Sequence, residues 1–273
     1  MATFAIKTQI TCMSKHDDNF YHAIIKRTFP DAHNIRKPHV LGWVAPAIYI
    51  VDTQDQTIIC KFNQQEIILH NKHISDLLTA HNIDVPKTTA HNLFGTWFET
   101  YQYNPEKTLH ELIENGISDE HIFIAYKKAL EIQQKISQIN ISDLSIPHCP
   151  RFFDIVNCCE TTSLYRKIFY LSSLFGKQHL LHNDIYPRNI LYSPETHEVH
   201  LIDLDSIAIS NMGVQAISFF RNYPCQDTEK LMQEYQHLTG HKPNHKILWC
   251  ADKILHAPGS IKRKIKDIID RCK

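Results

Sequence analysis

Apolar and polar positions run in two rhythms along this chain, and the rhythm changes near Tyr103. Before that point two short runs, Ala47 to Val51 (AIYIV) and Thr57 to Phe62 (TIICKF), are rich in β-branched and aromatic residues. The polar segment DTQDQ between them predicts a hairpin. Leu93 to Tyr103 (LFGTWFETYQY) reads as a buried strand running into a linker near Glu99 to Tyr103. Two stretches in this half keep helical spacing instead. Asp18 is the expected cap of a short helix through Lys26, with Phe20, Ile24 and Ile25 on its apolar face and Pro30 ending it. His70 to Asn82, with Ile74, Leu77 and Leu78 apolar, stops before Val85-Pro86. After Tyr103 the helical period dominates. Pro105 opens a helix over TLHELIENG that Gly116 closes. Ser118, followed by Asp119 and Glu120, starts a long helix to about Ile139, along which Ile122, Ala125, Ala129, Ile132 and Ile136 recur at helical intervals. Thr162 to Phe175, Glu229 to Leu238, His245 to His256 and a segment from Pro258-Gly259-Ser260 are further helices. The pattern predicts an α+β chain, with a small β-rich lobe over residues 1–102 and a larger helical lobe over residues 103–273.

Composition leaves that picture intact and narrows the partners. The 273 residues suffice for a large buried core. Lys+Arg and Asp+Glu both number 29, so nothing marks a general nucleic-acid or membrane-surface binder. The cationic run near the C-terminus, from Lys262 to Lys273, reads as a solvated face. Eight cysteines without a C-x-x-C pair suggest packed thiols in a reducing, cytoplasmic compartment rather than a disulfide framework. Neither a secretory leader nor a membrane span is apparent. Nineteen histidines are unusual, and they read as polar surface residues rather than as metal ligands.

The candidate chemistry lies between His179 and Ser206, HLLHNDIYPRNILYSPETHEVHLIDLDS. His182, Asp184 and Asn189 stand in the pattern H-x-D followed by Asn five residues on, and Asp203 follows 14 residues after Asn189. NILY and EVHLIDLD are two short strands about the polar turn SPETH. Folding that hairpin brings Asp203, at the end of its second strand, back beside Asn189, at the start of its first. One carboxylate and one amide oxygen then converge, a hard-oxygen pair suited to Mg²⁺. Asp184 leaves the apolar run HLL on a loop stiffened by Pro187, where a carboxylate can accept a proton from a hydroxyl. Phosphoryl transfer needs such parts. Lys61, the cation in an otherwise apolar strand, either extends its ammonium to water or holds phosphate oxygens. LGWVAPA, with the single glycine Gly42, is either a plain loop or a backbone cover for an anion.

HNDIYPRN followed by LIDLD resembles the catalytic signature of the protein-kinase-like superfamily, and within it the aminoglycoside phosphotransferase and choline kinase group. Asn183 stands where H-R-D protein kinases carry an arginine tied to a phosphorylated activation segment. Tyr186 stands where serine/threonine protein kinases carry lysine. Asp203-Leu204-Asp205 replaces D-F-G, and no A-P-E follows. The resemblance spans roughly residues 40 to 206 and is specific from 179 to 206. It implies a bilobal protein-kinase-like fold with a nucleotide-binding N-terminal lobe and a catalytic, substrate-binding C-terminal lobe. It also implies roles: Asp184 as catalytic base, Asn189 and Asp203 as Mg²⁺ ligands, His182 as a brace for the loop, Lys61 as the phosphate-holding lysine, and Glu99 with Tyr101 beside the adenine of ATP. The acidic partner of Lys61 is open between Glu66, the nearby glutamate, and the helix position of Asn71. After Asp205, Val214-Gln215-Ala216 stands where the group often has Asp-x-Ala.

The expected activity is transfer of the γ-phosphate of ATP, with Mg²⁺, to a hydroxyl of a small molecule such as an amino sugar or amino alcohol. A nucleotide-binding pseudokinase scaffold is the alternative from another class, motivated by the sparse glycine loop. A kinase acting on a protein or a lipid-linked sugar is a third reading.

Overall fold

The computed structural model describes residues 17–38, 47–142, 144, 177–221, 223–225 and 227–243. The loop at Gly42, the helix expected over Thr162 to Phe175 and the helices expected after His245 lie outside the described residues.

Helix α1 runs Asp18–Thr28. Its N-cap is Asp17, whose side chain accepts from the Phe20 N–H at 3.0 Å. Asp18, the expected cap, lies in the first turn, where it accepts from the Tyr49 hydroxyl at 2.7 Å and pairs with Lys37. Either of two adjacent aspartates satisfies the capping rule, and the Tyr49 contact selects between them. Tyr21, Ile24 and Ile25 are the buried face of α1.

Beneath it lies an antiparallel sheet of five strands: β1 Asn34–Arg36, β2 Ile48–Asp52, β3 Thr57–Phe62, β4 Thr89–Leu93 and β5 Thr96–Gln102. Their order is β1-β2-β3-β5-β4. The β2–β3 hairpin forms as the pattern predicts, with Val51 opposite Ile58 and Tyr49 opposite Cys60. The stretch from Leu93 to Tyr103 is not one strand. Leu93 ends β4, Phe94 and Gly95 turn the chain with φ of 53° and 79°, and β5 then runs on through Gln102. Glu99 and Tyr101 therefore lie within a paired strand rather than in a linker. Two successive positive φ values suit a tight hairpin, and glycine supplies the second without strain.

Strand alternation divides the sheet by face. Tyr49, Val51, Ile58, Cys60, Phe62 and Phe98 pack with Tyr21, Ile24 and Ile25 of α1 into one core. Burial pushes the Cys60 thiol up to about 12, so it packs as a small apolar group. Lys61, between Cys60 and Phe62, faces the other side, as does Glu99 next to Phe98.

The described residues cluster into two units. One holds those up to Leu69 together with Thr88–Tyr103, and the other holds His70–Lys87 and those from Asn104 on. Helix α2 runs Gln65–Ala80, five residues earlier than its apolar spacing suggests, and the division falls within it.

In the second unit, α3 spans Leu109–Glu114 and α4 spans Asp119–Ser137. The cap of α3 is Thr108, not the neighbourhood of Pro105. Thr108 accepts from the Glu111 N–H while Glu111 accepts from the Thr108 N–H, so two orphan donors are satisfied at once. Ser118 caps α4 as the sequence predicts. Strand β6, Gln178–His182, pairs antiparallel with β9, Ile207–Asn211. The expected hairpin forms as β7, Ile190–Tyr192, and β8, Val199–Leu201. Helices α5, Met212–Arg221, and α6, Glu229–Thr239, complete the described part.

Two apolar cores support these elements. One gathers Tyr126, Ala129 and Leu130 of α4 with Ile185, Ile190, Leu201, Phe219 and Tyr235. The other gathers Ile74 and Leu78 of α2, Ile136, Leu180, Leu204, Ile207 and Ile209. Ile185 sits next to Asp184 and Leu204 next to Asp203, so each aspartate is anchored by an apolar neighbour that cannot leave the core cheaply. No helix among the described residues is long and apolar enough to cross a membrane.

Candidate active site

The site begins where β6 ends. His182 is fully buried. Its backbone N–H donates to the Gln133 side-chain oxygen of α4 at 2.7 Å. Its ring Nε2 lies 3.1 Å from the Ile202 carbonyl and must carry the proton, since a carbonyl only accepts. Nδ1 is then the acceptor for the Asp184 N–H at 3.3 Å. Burial lowers the His182 pKa, which keeps the ring in the neutral tautomer these two contacts need.

Asn183 is also buried. Its amide donates to the carbonyls of Leu181 and Ser206, at 3.0 and 3.1 Å, and its oxygen accepts from the Ser210 hydroxyl at 2.5 Å. The residue thus ties the end of β6 to the start of β9.

The loop closes on Asn189. A short 3-10 turn over Pro187–Asn189 follows Tyr186, and the Asn189 N–H donates to the Tyr186 carbonyl at 2.8 Å. The Asn189 side-chain amide donates to the Asp184 carbonyl at 3.0 Å and to the Asp184 carboxylate at 3.2 Å. With its nitrogen so engaged, the amide presents its oxygen as the remaining ligand atom. Beyond β8, the Ile202 N–H donates to the Asn189 carbonyl at 3.1 Å. Asp203 follows at once, so the hairpin returns it beside Asn189 as its spacing predicts.

Asp203 adopts φ 64° and ψ 68°, a left-handed conformation that costs a non-glycine residue about 1–2 kcal/mol. Tyr186 lies near both carboxylates. Burial raises its pKa, and the charges of Asp184 and Asp203 raise it further. Asp184, Asn189 and Asp203 are therefore brought together within the second unit. Their oxygen-rich donor set, two carboxylates and one amide, fits a hard divalent cation such as Mg²⁺.

Asn71 of α2 meets Asp205. Its amide donates to the Asp205 carboxylate, and the neighbouring His70 Nε2 lies 2.9 Å from the Ile207 carbonyl. Both contacts fasten α2 to the segment after Asp203.

In the first unit, Lys61 and Glu99 are directly opposed across β3 and β5. The ammonium lies 3.8 Å from the Glu99 carboxylate, and the side chains are 7% and 3% exposed. Glu99 is thus an acidic partner of Lys61, one that the sequence did not point to. Tyr101 lies on the same face of β5, opposite Ile59. Sequence reading missed Glu99 in this role and also Gln133, because strand register and helix-to-loop contacts leave no local signal.

No protein-family model matches the sequence, and no curated protein does. Solved structures do match in fold. An aminoglycoside-3'-phosphotransferase of type VIII superposes with a TM-score of 0.66 at 11% identity, over 86% of this chain and 97% of its own. A spectinomycin phosphotransferase in complex with ADP and spectinomycin gives 0.61 at 14% identity, over 94% of this chain and 90% of its own. The choline kinase LicA from Streptococcus pneumoniae gives 0.57 at 17% identity, over 92% and 99%. The chain has the α+β, protein-kinase-like fold that these phosphotransferases share.

Proposed function

We propose that this protein is an ATP- and Mg²⁺-dependent phosphotransferase that moves the γ-phosphate to a hydroxyl of a small molecule. The observation that carries the reading is the convergence of Asp184, Asn189 and Asp203 on a braced loop, in a fold shared with small-molecule kinases.

Asp184 is the base. Its carboxylate orients the acceptor hydroxyl and takes its proton as the oxygen attacks phosphorus. The Asn189 amide holds that carboxylate in place, and His182 fixes the backbone beneath it. The Asn189 oxygen and the Asp203 carboxylate would hold Mg²⁺, which neutralises phosphate charge when bound. Lys61 supplies a cation to the phosphate oxygens, and Glu99 sets its position. Tyr101 lies beside the adenine of the nucleotide. Residues 1–102 serve the nucleotide, and residues 103–273 the chemistry and the acceptor.

Asn183 favours a small acceptor over a protein. It spends its side chain on Leu181, Ser206 and Ser210, so the loop is braced from within. The test is ADP release measured across a panel of amino sugars, amino alcohols and antibiotics, with a size-separated labelling assay on extract beside it. Label in a small product that Asp184→Ala abolishes supports the reading. Label in protein or lipid-linked sugar, or nucleotide binding without turnover on any acceptor, overturns it.

A further inference from the structure

His200, on β8, has a carboxylate at each side of its ring. Nδ1 lies 2.8 Å from Asp84, and Nε2 lies 3.6 Å from Glu106. Glu198 joins from two residues earlier. One ligand atom from each of Glu106, Glu198 and His200 lies within 4.8 Å of the other two. Three separate stretches of the second unit supply these groups: the loop after α2, the segment after β5, and the β7–β8 hairpin.

Glu106 and Glu198 each meet a neighbouring side chain. The Glu106 N–H donates to the Asn104 side-chain oxygen at 2.9 Å, and the Asn104 amide reaches the Glu106 carboxylate at 3.4 Å. The Thr196 hydroxyl donates to the Glu198 carboxylate at 3.3 Å. Two carboxylates gathered beside one imidazole repel one another unless a positive charge sits among them. A carboxylate at Nδ1 draws the proton to that nitrogen, which leaves the Nε2 lone pair facing Glu106. Carboxylate, imidazole and then an oxygen-lined gap is the order in which proteins hold transition-metal ions.

We infer that Glu106, Glu198 and His200 bind one first-row divalent cation of the zinc class, with Asp84 fixing the ring tautomer. One imidazole nitrogen with two carboxylate oxygens suits Zn²⁺ better than Mg²⁺, which prefers oxygen alone. Tetrahedral bonds of about 2.0–2.1 Å place ligand atoms roughly 3.4 Å apart, so the carboxylates must draw inward by about 1 Å. Glu198 is exposed and Glu106 only half-buried, so both can make that movement. The site shares no residue with Asp184, Asn189 and Asp203, and it stands whether or not the protein is a kinase.

The experiment uses the full chain stripped of metal. It is titrated with Zn²⁺ by calorimetry and with Co²⁺ by visible absorption, with Mg²⁺ present in excess, at about pH 7.5. One zinc ion should bind per chain, and Co²⁺ at the same site should give a ligand-field band. His200→Gln and Glu198→Gln should remove both signals, and Asp84→Asn should weaken binding about tenfold or more. Asp203→Ala should leave zinc binding intact. Circular dichroism of each variant separates lost ligation from lost folding. Equal zinc binding by folded His200→Gln, or none by the wild-type chain, overturns the inference.

Discussion

The Asn189 side-chain amide donates to both the backbone carbonyl and the carboxylate of Asp184, at 3.0 and 3.2 Å. A single residue thus fixes Asp184 at two points and still offers an oxygen. Replacing either partner has a defined effect. Asp184→Ala should lower kcat by about 10²–10⁴-fold, the span a positioned base contributes, while nucleotide still shifts Tm. Asn189→Ala should lower kcat and also weaken the Mg²⁺ dependence, because it removes the orienting donor and the ligand oxygen together. Steady-state kinetics with varied Mg²⁺ separate the two variants; wild-type turnover in Asp184→Ala would exclude it as the base.

Asp203 poses a different question, since its left-handed backbone is strained for any residue but glycine. Asp203→Gly relieves that strain, about 1 kcal/mol, but adds freedom to the unfolded chain of similar size. Phosphotransfer should be lost in this variant, and urea unfolding reads the balance between relieved strain and the contacts the carboxylate gives up. Wild-type turnover by Asp203→Gly would exclude this carboxylate as a metal ligand.

The Lys61–Glu99 pair is buried, so its desolvation cost offsets much of its attraction. Breaking it from one side, with Glu99→Leu, should cost about 3–5 kcal/mol by leaving a buried ammonium without its carboxylate. Replacing both, Lys61→Met with Glu99→Leu, should recover most of that stability yet leave nucleotide turnover lost. A double variant as unstable as the single one would show that the pair also carries the strand packing.

His182 links the loop to pH. Its folded pKa lies below the ordinary value of 6.5, chiefly through burial. The unfolded chain therefore binds a proton that the folded one refuses, and stability falls as pH drops through about 6.5. His91 and His241 are shifted in the same direction for the same cause. The difference between wild type and His182→Gln isolates one residue: the variant should lose less stability between about pH 7 and pH 5. Parallel pH curves would argue that His182 is charged in the folded protein.

The segment from His179 to Ser206 was legible because its chemistry is local. Asn189 and Asp203 meet through a hairpin whose turn is visible in the sequence, and His182 and Asp184 are two residues apart. The Lys61 partner was not legible. Glu99 is 38 residues away, and only the β3–β5 register brings it opposite. Asn71 looked suitable by helix phase, but phase says which way a side chain points along a helix and nothing of what it meets; here it meets Asp205. The β4–β5 turn was hidden because Phe94, a bulky residue, takes a positive φ that its type rarely adopts. The cluster around His200 escaped the spacing rules for metal ligands altogether, since Glu106 comes from a segment far from Glu198 and His200.

The bonds of Asn183 to Ser206 and Ser210 bear on how such an enzyme would be governed. A loop braced by its own amide needs no covalent mark to become competent. Its throughput would follow the supply of acceptor and nucleotide, as with a resident metabolic enzyme rather than a relay that waits for a signal.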